Sequence, residues 1–215
     1  APVSRCMRRR RQVRGPGTAR LRDAAGWRVD AAVACGRRHS ERGEPSQDAA
    51  ACAAGRRACA VVVCDGAGSA LHSRAGARAL CDGLAPWLVQ RWKHLCGLPE
   101  PALRQAILRR AWSLLGRAAR ARRASPSDVA CTLLLVVADA RRLLALQVGD
   151  GRVALLDAAA AASVPVWRTL LEPTRGEHAN ETVFVTSRQA MVHLRLVWVD
   201  TAGVQACALM TDGAE

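Results

Sequence analysis

Three of the Asp-Gly pairs in this chain each close an apolar, strand-like run. Asp65-Gly66 follows ACAVVVC, Asp150-Gly151 follows LLALQVG, and Asp212-Gly213 follows VQACALMT. A fourth, Asp48, opens a small-residue strand after Glu44-Pro45-Ser46-Gln47. A carboxylate at the end of a buried strand is a ligand for a hard cation, and the glycine beside it exposes a backbone carbonyl that can join it. One Asp-Gly is ordinary turn chemistry. Three, if their strand ends converge, build an oxygen-rich site for two Mg²⁺ or Mn²⁺ ions. Other chemistries are excluded by spacing. There is no Cys-x5-Arg phosphate cradle, no Asp-x-Asp and no Gly-x-Ser-x-Gly. Lys93, the single lysine, is followed by His94 and so belongs to no P-loop. None of the five histidines pairs with another at the i, i+4 spacing of a helical zinc site.

The elements that must position these aspartates are legible from periodicity. Short strands are expected within Trp27 to Arg38, Asp48 to Ala54 and Ala58 to Cys64, followed by a break at Gly66-Ala67-Gly68-Ser69. Leu80, Leu84, Trp87, Leu88, Trp92 and Leu95 then fall on one helical face, and Leu103, Ile107, Ala111, Leu114, Leu115 and Ala118 on another. Gly97 ends the first helix and Pro99 opens the second. A hairpin over Ala130 to Ala138 and Leu143 to Val148 turns at Asp139-Ala140-Arg141-Arg142. Val153 to Leu156 follows, then an alanine-rich stretch and a loop through Pro173 and Gly176. Val183 to Val185, Val192 to Val199 and Val204 to Met210 complete the strands, with His193 alternating out of the second of these. Strands, a long antiparallel helix pair, then more strands make an α+β fold.

Composition sets the outer limits. The chain has 215 residues, half of them hydrophobic, which suits one domain with a real core. No apolar run is long enough to span a bilayer, so no membrane is expected. The formal charge of +14 is carried almost wholly by arginine, with abundant alanine, no tyrosine and one phenylalanine, the composition of a GC-rich coding sequence. Without stacking aromatics the charge argues against nucleic acid as partner. Residues 1–24, with Arg8 to Arg11 and Gly15-Pro16-Gly17, read as a flexible arginine-rich arm ahead of a domain over 25–215. Nine irregularly spaced cysteines without a Cys-x-x-Cys pair read as small core hydrophobes in a reducing, cytoplasmic setting.

At this point the motifs carry a resemblance. HSERGEPSQDA (residues 39–49), VVVCDGAGS (61–69) with Gly76-Ala77, DVACTL (128–133), QVGDGR (147–152), GEHANET (176–182) and MTDG (210–213) occur in the order of the motifs of PPM-type (type 2C) metal-dependent protein serine/threonine phosphatases, bacterial branch. The resemblance covers residues 35–215. It implies a four-layer α/β/β/α sandwich with two antiparallel sheets and two metals, Mn²⁺ or Mg²⁺, with a weaker third. It implies that Asp65 bridges the metals and that Gly66 offers its carbonyl. Asp48 would bind directly or through water, Asp212 would hold the second metal, and Asp150 with Asp212 the third. Hydroxide formed from metal-activated water would attack phosphorus in line, which makes Asp65 and Asp212 the catalytic carboxylates. Arg42 is the closest match to the family's phosphate-gripping arginine, with Arg37 or Arg38 as alternatives.

The resemblance also implies a phosphorylated protein as substrate and a cognate serine/threonine kinase as a second partner. Ala67 stands where the eukaryotic branch has histidine, so a metal-bound water would protonate the leaving group. Gln47 stands where some members carry a glutamate ligand. Family members continue beyond the equivalent of Glu215 through a helix and strands that carry a last ligand aspartate. The expectation is therefore a phosphatase domain lacking its last elements, with reduced or no activity. Its alternative is an inactive phosphatase-like fragment that binds phosphoproteins or acts as a scaffold.

Overall fold

All six residues of the strand Leu133–Ala138 are buried, yet they do not share one core. Leu133, Leu135 and Val137 enter one apolar cluster, while Leu134, Val136 and Ala138 enter another. Successive side chains of a strand point to opposite faces, so a strand apolar at every position must be covered on both sides. In the computed structural model, which describes residues 9–13, 17–22, 26–34, 41, 43, 45–157, 166–173 and 182–212, that strand lies at the centre of a six-stranded antiparallel sheet.

The strands are β1 (Arg9–Val13), β2 (Gly17–Arg22), β3 (Arg28–Val33), β4 (Ala49–Ala54), β5 (Cys59–Cys64), β6 (Leu133–Ala138), β7 (Arg142–Val148), β8 (Arg152–Asp157), β9 (Val166–Leu171), β10 (Arg195–Asp200) and β11 (Val204–Met210). The helices are α1 (Ser73–Leu95), α2 (Glu100–Arg120) and the one-turn α3 (Ala190–His193), with a 3-10 turn at Pro126–Val129. The large sheet has the order β1-β4-β5-β6-β7-β10, a second sheet has β11-β8-β9, and β2 pairs with β3. On one face α1 and α2 bury Leu80, Leu84, Leu88, Leu103 and Ile107 against the sheet. On the other, Val29, Ala31 and Val33 of β3 join Val153, Leu155 and Leu171 of the second sheet. Alanine dominates β4 despite its poor strand propensity, because α1 packs directly over β4 and β5 and small side chains permit the close approach.

The expected α+β architecture with two antiparallel sheets and a long helix pair is what the structure has. Among the described residues it consists of the helices, the large sheet, the second sheet and the β2–β3 pair; a helical layer outside the second sheet is not among them. Local details differ from the expectations. The segment read as a flexible arm contributes β1, which pairs with β4 from Arg9↔Ala54 to Val13↔Ala50, and β2, which pairs with β3. Backbone pairing of an edge strand is indifferent to the side-chain charges that suggested a tail, and it satisfies the outer groups of β4. Val183 to Val185 is not a strand but a buried turn whose Val185 N–H donates to Cys131 O at 2.9 Å. His193 closes α3, so β10 begins only at Arg195, and β9 occupies part of the stretch read as loop.

Asp139 locks the β6–β7 turn to its surroundings. Its Oδ1 accepts the N–H groups of Arg141 and Arg142, its Oδ2 accepts Trp92 Nε1 at 2.7 Å, and its carbonyl accepts Trp27 Nε1. Burial pushes its carboxyl up, but these N–H donors and the charge of Arg142 outweigh that and hold it below the ordinary value. The stabilisation is present above the ordinary carboxylate range and lost as pH falls through the lowered pKa. Asp139→Ala is expected to cost on the order of 1–3 kcal/mol at pH 7. In urea titrations that difference should shrink towards zero at the acid end; a constant difference would assign the loss to packing instead.

Candidate functional site

Strand register alone brings the predicted aspartates into two pairs. β4 and β5 pair antiparallel with Ala49 opposite Cys64, so the next pair outward is Asp48 and Asp65. β11 and β8 pair with Met210 opposite Arg152, so two steps outward stand Asp212 and Asp150. β6 joins the two sets, because Leu133 is opposite Val148 and Thr132 therefore falls beside Gly149. Asp48, Asp65, Gly66, Asp150 and Asp212 all line one cleft of about 360 Å³, with Thr132, Thr182 and Phe184 among its other walls.

Asp65 is held by its backbone on both sides. Its N–H donates to Thr132 Oγ1 at 3.0 Å and its carbonyl accepts Thr132 N–H at 2.8 Å. Gly66 bridges Cys131, and Ala67 N–H donates to Ala130 O at 3.0 Å, so the chain stays extended past the end of β5. Gly66 is required by space, since a Cβ there would stand 2.9 Å from Ser73 Cβ and 3.0 Å from Gln47 O. Ser46 Oγ accepts the N–H of Asp48 at 3.2 Å and fixes the entry to β4.

The turn carrying Asp150 has its own support. Gly149 has φ +115°, and a Cβ on it would meet Thr132 Cγ2 at 2.6 Å. Fully buried Gln147 donates from Nε2 to Gly149 O at 2.9 Å and Gly151 O at 2.6 Å, while its Oε1 is buried with no hydrogen-bond partner. Thr182 Oγ1 donates to Asp150 Oδ2 at 2.6 Å. Gln147→Leu is expected to lower stability by about 1–3 kcal/mol and, if Asp150 holds a divalent cation, to weaken Mn²⁺ binding about 10–100-fold, as loss of a group that orients ligands does. Thermal unfolding with and without Mn²⁺ reads both; an unchanged Mn²⁺ response would confine Gln147 to folding.

Charge is concentrated where it is poorly tolerated. Burial first, then the charges of Asp48 and Asp212 and hydrogen bonds shared with each, push the Asp65 carboxyl up to about 8. A carboxylate between two others in a partly dry cleft is unstable by itself, and a cation removes the penalty. The donor set is all oxygen, which suits a hard divalent ion. Among the described residues no three carboxylate, histidine or cysteine side chains stand in joint ligating geometry. The electrostatic grouping around Asp65 is thus a pair of two-carboxylate contacts, leaving the Gly66 carbonyl and solvent to complete any coordination.

Several participants were not singled out from sequence. Thr132 and Gln147 are the polar interruptions of otherwise apolar strands, which is the signal that could have found them. Thr182 and Phe184 carry no such signal; the turn after the 174–181 segment brings them in. Asp128, within a quoted motif, faces elsewhere: its Oδ2 accepts Ser125 N–H and Oγ–H, and it caps the 3-10 turn. Arg42, Arg37 and Arg38 lie outside the described residues, as do residues 176–181 of the GEHANET motif.

Comparison with known proteins agrees with this architecture. Residues 35–215 match the family model described as Protein phosphatase 2C. The chain is 28% identical over 195 residues to serine/threonine-protein phosphatase 3 of Escherichia coli (strain K12), covering 88% of this chain and 74% of that protein. The serine/threonine phosphatase Stp1 of Staphylococcus aureus superposes with a TM-score of 0.53 at 13% identity, over 78% of this chain and 70% of Stp1. A bacterial serine phosphatase superposes with 0.54 at 11% identity, over 78% and 72%. These likenesses in structure speak for the fold, and the match over residues 35–215 speaks for descent: the chain belongs to the protein phosphatase 2C family.

Proposed function

We propose that this chain hydrolyses phosphoserine and phosphothreonine on proteins, with two divalent cations, Mn²⁺ or Mg²⁺, and a weaker third held in the cleft. The observation that carries the reading is Asp65, half-buried and flanked by Asp48 and Asp212. In this reading Asp65 is the shared ligand and Gly66 gives its carbonyl. Asp48 serves one ion, Asp212 the other, and Asp150 with Asp212 the third. When bound, the cations supply the Lewis acidity that makes a nucleophile of water and offset charge developing on the phosphoryl oxygens.

The chain's own groups do the positioning. The two hydrogen bonds from the Asp65 backbone to Thr132, one to its hydroxyl and one to its N–H, keep the central carboxylate from following loop motion, and Gln147 holds the turn that presents Asp150. Arg42 grips the phosphate through its forked donors, with Arg37 or Arg38 as the other candidates for that task. A phosphorylated protein is the substrate and a serine/threonine kinase the opposing enzyme. No helix among the described residues is long and apolar enough to cross a membrane. The buried thiols of Cys64, Cys81 and Cys131 support a reducing compartment such as the cytoplasm.

Release of phosphate from a phosphothreonine peptide with Mn²⁺, and its loss on adding EDTA, tests the reading. Phosphopeptide binding with no turnover at any Mn²⁺ concentration would replace it with that of a non-catalytic binding module.

A further inference from the structure

A groove larger than the cleft lies on the helices. It runs between α1 and α2 on their outer side, encloses about 620 Å³, and is lined by Arg78, Arg110, Arg117 and Arg122 against one acid, Asp82. Its floor is apolar, with Leu114 packed against the helix backbone at Gly83 so closely that a Cβ there would meet Leu114 Cδ2 at 2.3 Å. Arg110 is anchored within it. Its guanidinium lies 6.0 Å from the centroid of the Trp87 ring, and its Nε is buried with no hydrogen-bond partner. Burial and the neighbouring charge of Arg117 hold the Arg110 pKa below its ordinary value, so the cationic form is opposed where it stands.

We propose that this groove binds an acidic segment of a protein partner, carboxylates on the arginine rim and aliphatic side chains on the floor. Charge complementarity selects the occupant: the lining carries four arginines to one aspartate, a surplus of positive charge, and a carboxylate placed between Arg110 and Arg117 lowers their mutual repulsion. The floor selects peptide over nucleic acid. Bases need an open aromatic face to stack on, and the face of Trp87 is taken by Arg110. The groove begins within two turns of Ser73, which packs on Gly66 at the cleft, so one end of it lies near the site along α1. Binding in the groove stands independently of any hydrolysis in the cleft.

The test is fluorescence anisotropy of a labelled, unphosphorylated peptide alternating glutamate with leucine, titrated with the whole chain. Expected is binding that weakens with salt and falls about tenfold or more in Arg110→Glu/Arg117→Glu. Arg56→Glu/Arg109→Glu, the same charge change at two exposed positions outside the groove, should leave binding within about twofold. If circular dichroism shows the double variant unfolded, Arg117→Ala/Arg122→Ala at two exposed positions gives the same reading with a smaller loss. Equal losses in Arg56→Glu/Arg109→Glu would reduce the effect to overall charge and overturn the proposal. So would unchanged binding in both groove variants, or a single-stranded oligonucleotide binding through these arginines when the peptide does not.

Discussion

Asp65→Asn is expected to lower Mn²⁺-dependent turnover by more than about 100-fold, the loss caused by removing even the groups that merely orient ligands. It is expected at the same time to stabilise the metal-free protein at pH 8. The two effects share one cause. In the folded chain burial and the charges of Asp48 and Asp212 raise the carboxyl from 3.8 to about 8. Unfolded, it ionises near the ordinary value. Between those values the folded state holds a proton that the unfolded state has lost, so its stability falls as pH rises, by about 1.4 kcal/mol per pH unit for one proton. The penalty is absent below the ordinary carboxylate range and complete above pH 8. Asparagine, which never ionises, removes that slope. Melting temperatures in EDTA at pH 5 and pH 8 should therefore diverge in the wild type and coincide in the variant, while Mn²⁺ raises only the wild type. A Mn²⁺ response that survives in Asp65→Asn would remove this residue from the site, and a flat wild-type profile would show that its neighbours do not crowd it.

The second large effect belongs to a residue with no side chain. A Cβ on Gly76 would lie 2.0 Å from Val129 O and 2.8 Å from Val129 C, both backbone atoms that cannot rotate away. Helix propensity by itself favours alanine over glycine inside α1 by roughly 1 kcal/mol. Overpacking against fixed backbone costs typically 1–3 kcal/mol and more in tight places, so the clash wins. Gly76→Ala is expected to lose about 3 kcal/mol or more, a large share of the 5–15 kcal/mol that holds a domain together. The damage should also reach the cleft. The 3-10 turn pressed by α1 leads into residues 130–132, which hold Asp65 to Ala67 in register, and His72 N–H donates to Asp128 O at 2.7 Å across the same contact. Gly116→Ala is the internal comparison. It is also helical, but its Cβ would meet only the far end of the Arg120 side chain at 3.4 Å, so it should gain about 0.5–1 kcal/mol. Urea midpoints of opposite sign for the two variants are the expected result; a gain in both would mean that α1 can slide off the turn without cost.

The sequence by itself determined what depends on local pattern. Continuous apolar runs closed by Asp-Gly placed strand ends at Cys64, Val148 and Met210 within a residue or so, and a period of 3.6 marked the buried faces of α1 and α2. Because an antiparallel register is fixed by its hairpin, the Asp48–Asp65 pairing was implicit in the short β4–β5 connection. The ordered motifs then supplied the family. What only the tertiary structure decided is everything set by packing between distant segments. The arginine-rich start of the chain became strands because β4 offers an unpaired edge, a fact no local charge count contains. Val183 to Val185, apolar and strand-like by composition, became a turn pinned to Cys131. Gln147, read as a motif letter, proved to be the buried amide that spans Gly149 and Gly151, and Asp128 proved to be a cap. The physical reason is common to all of these. Periodicity records which faces of an element meet apolar surroundings, whereas the partner of a backbone edge, of a buried amide or of a missing Cβ is chosen by whichever segment, far along the chain, occupies the adjacent space.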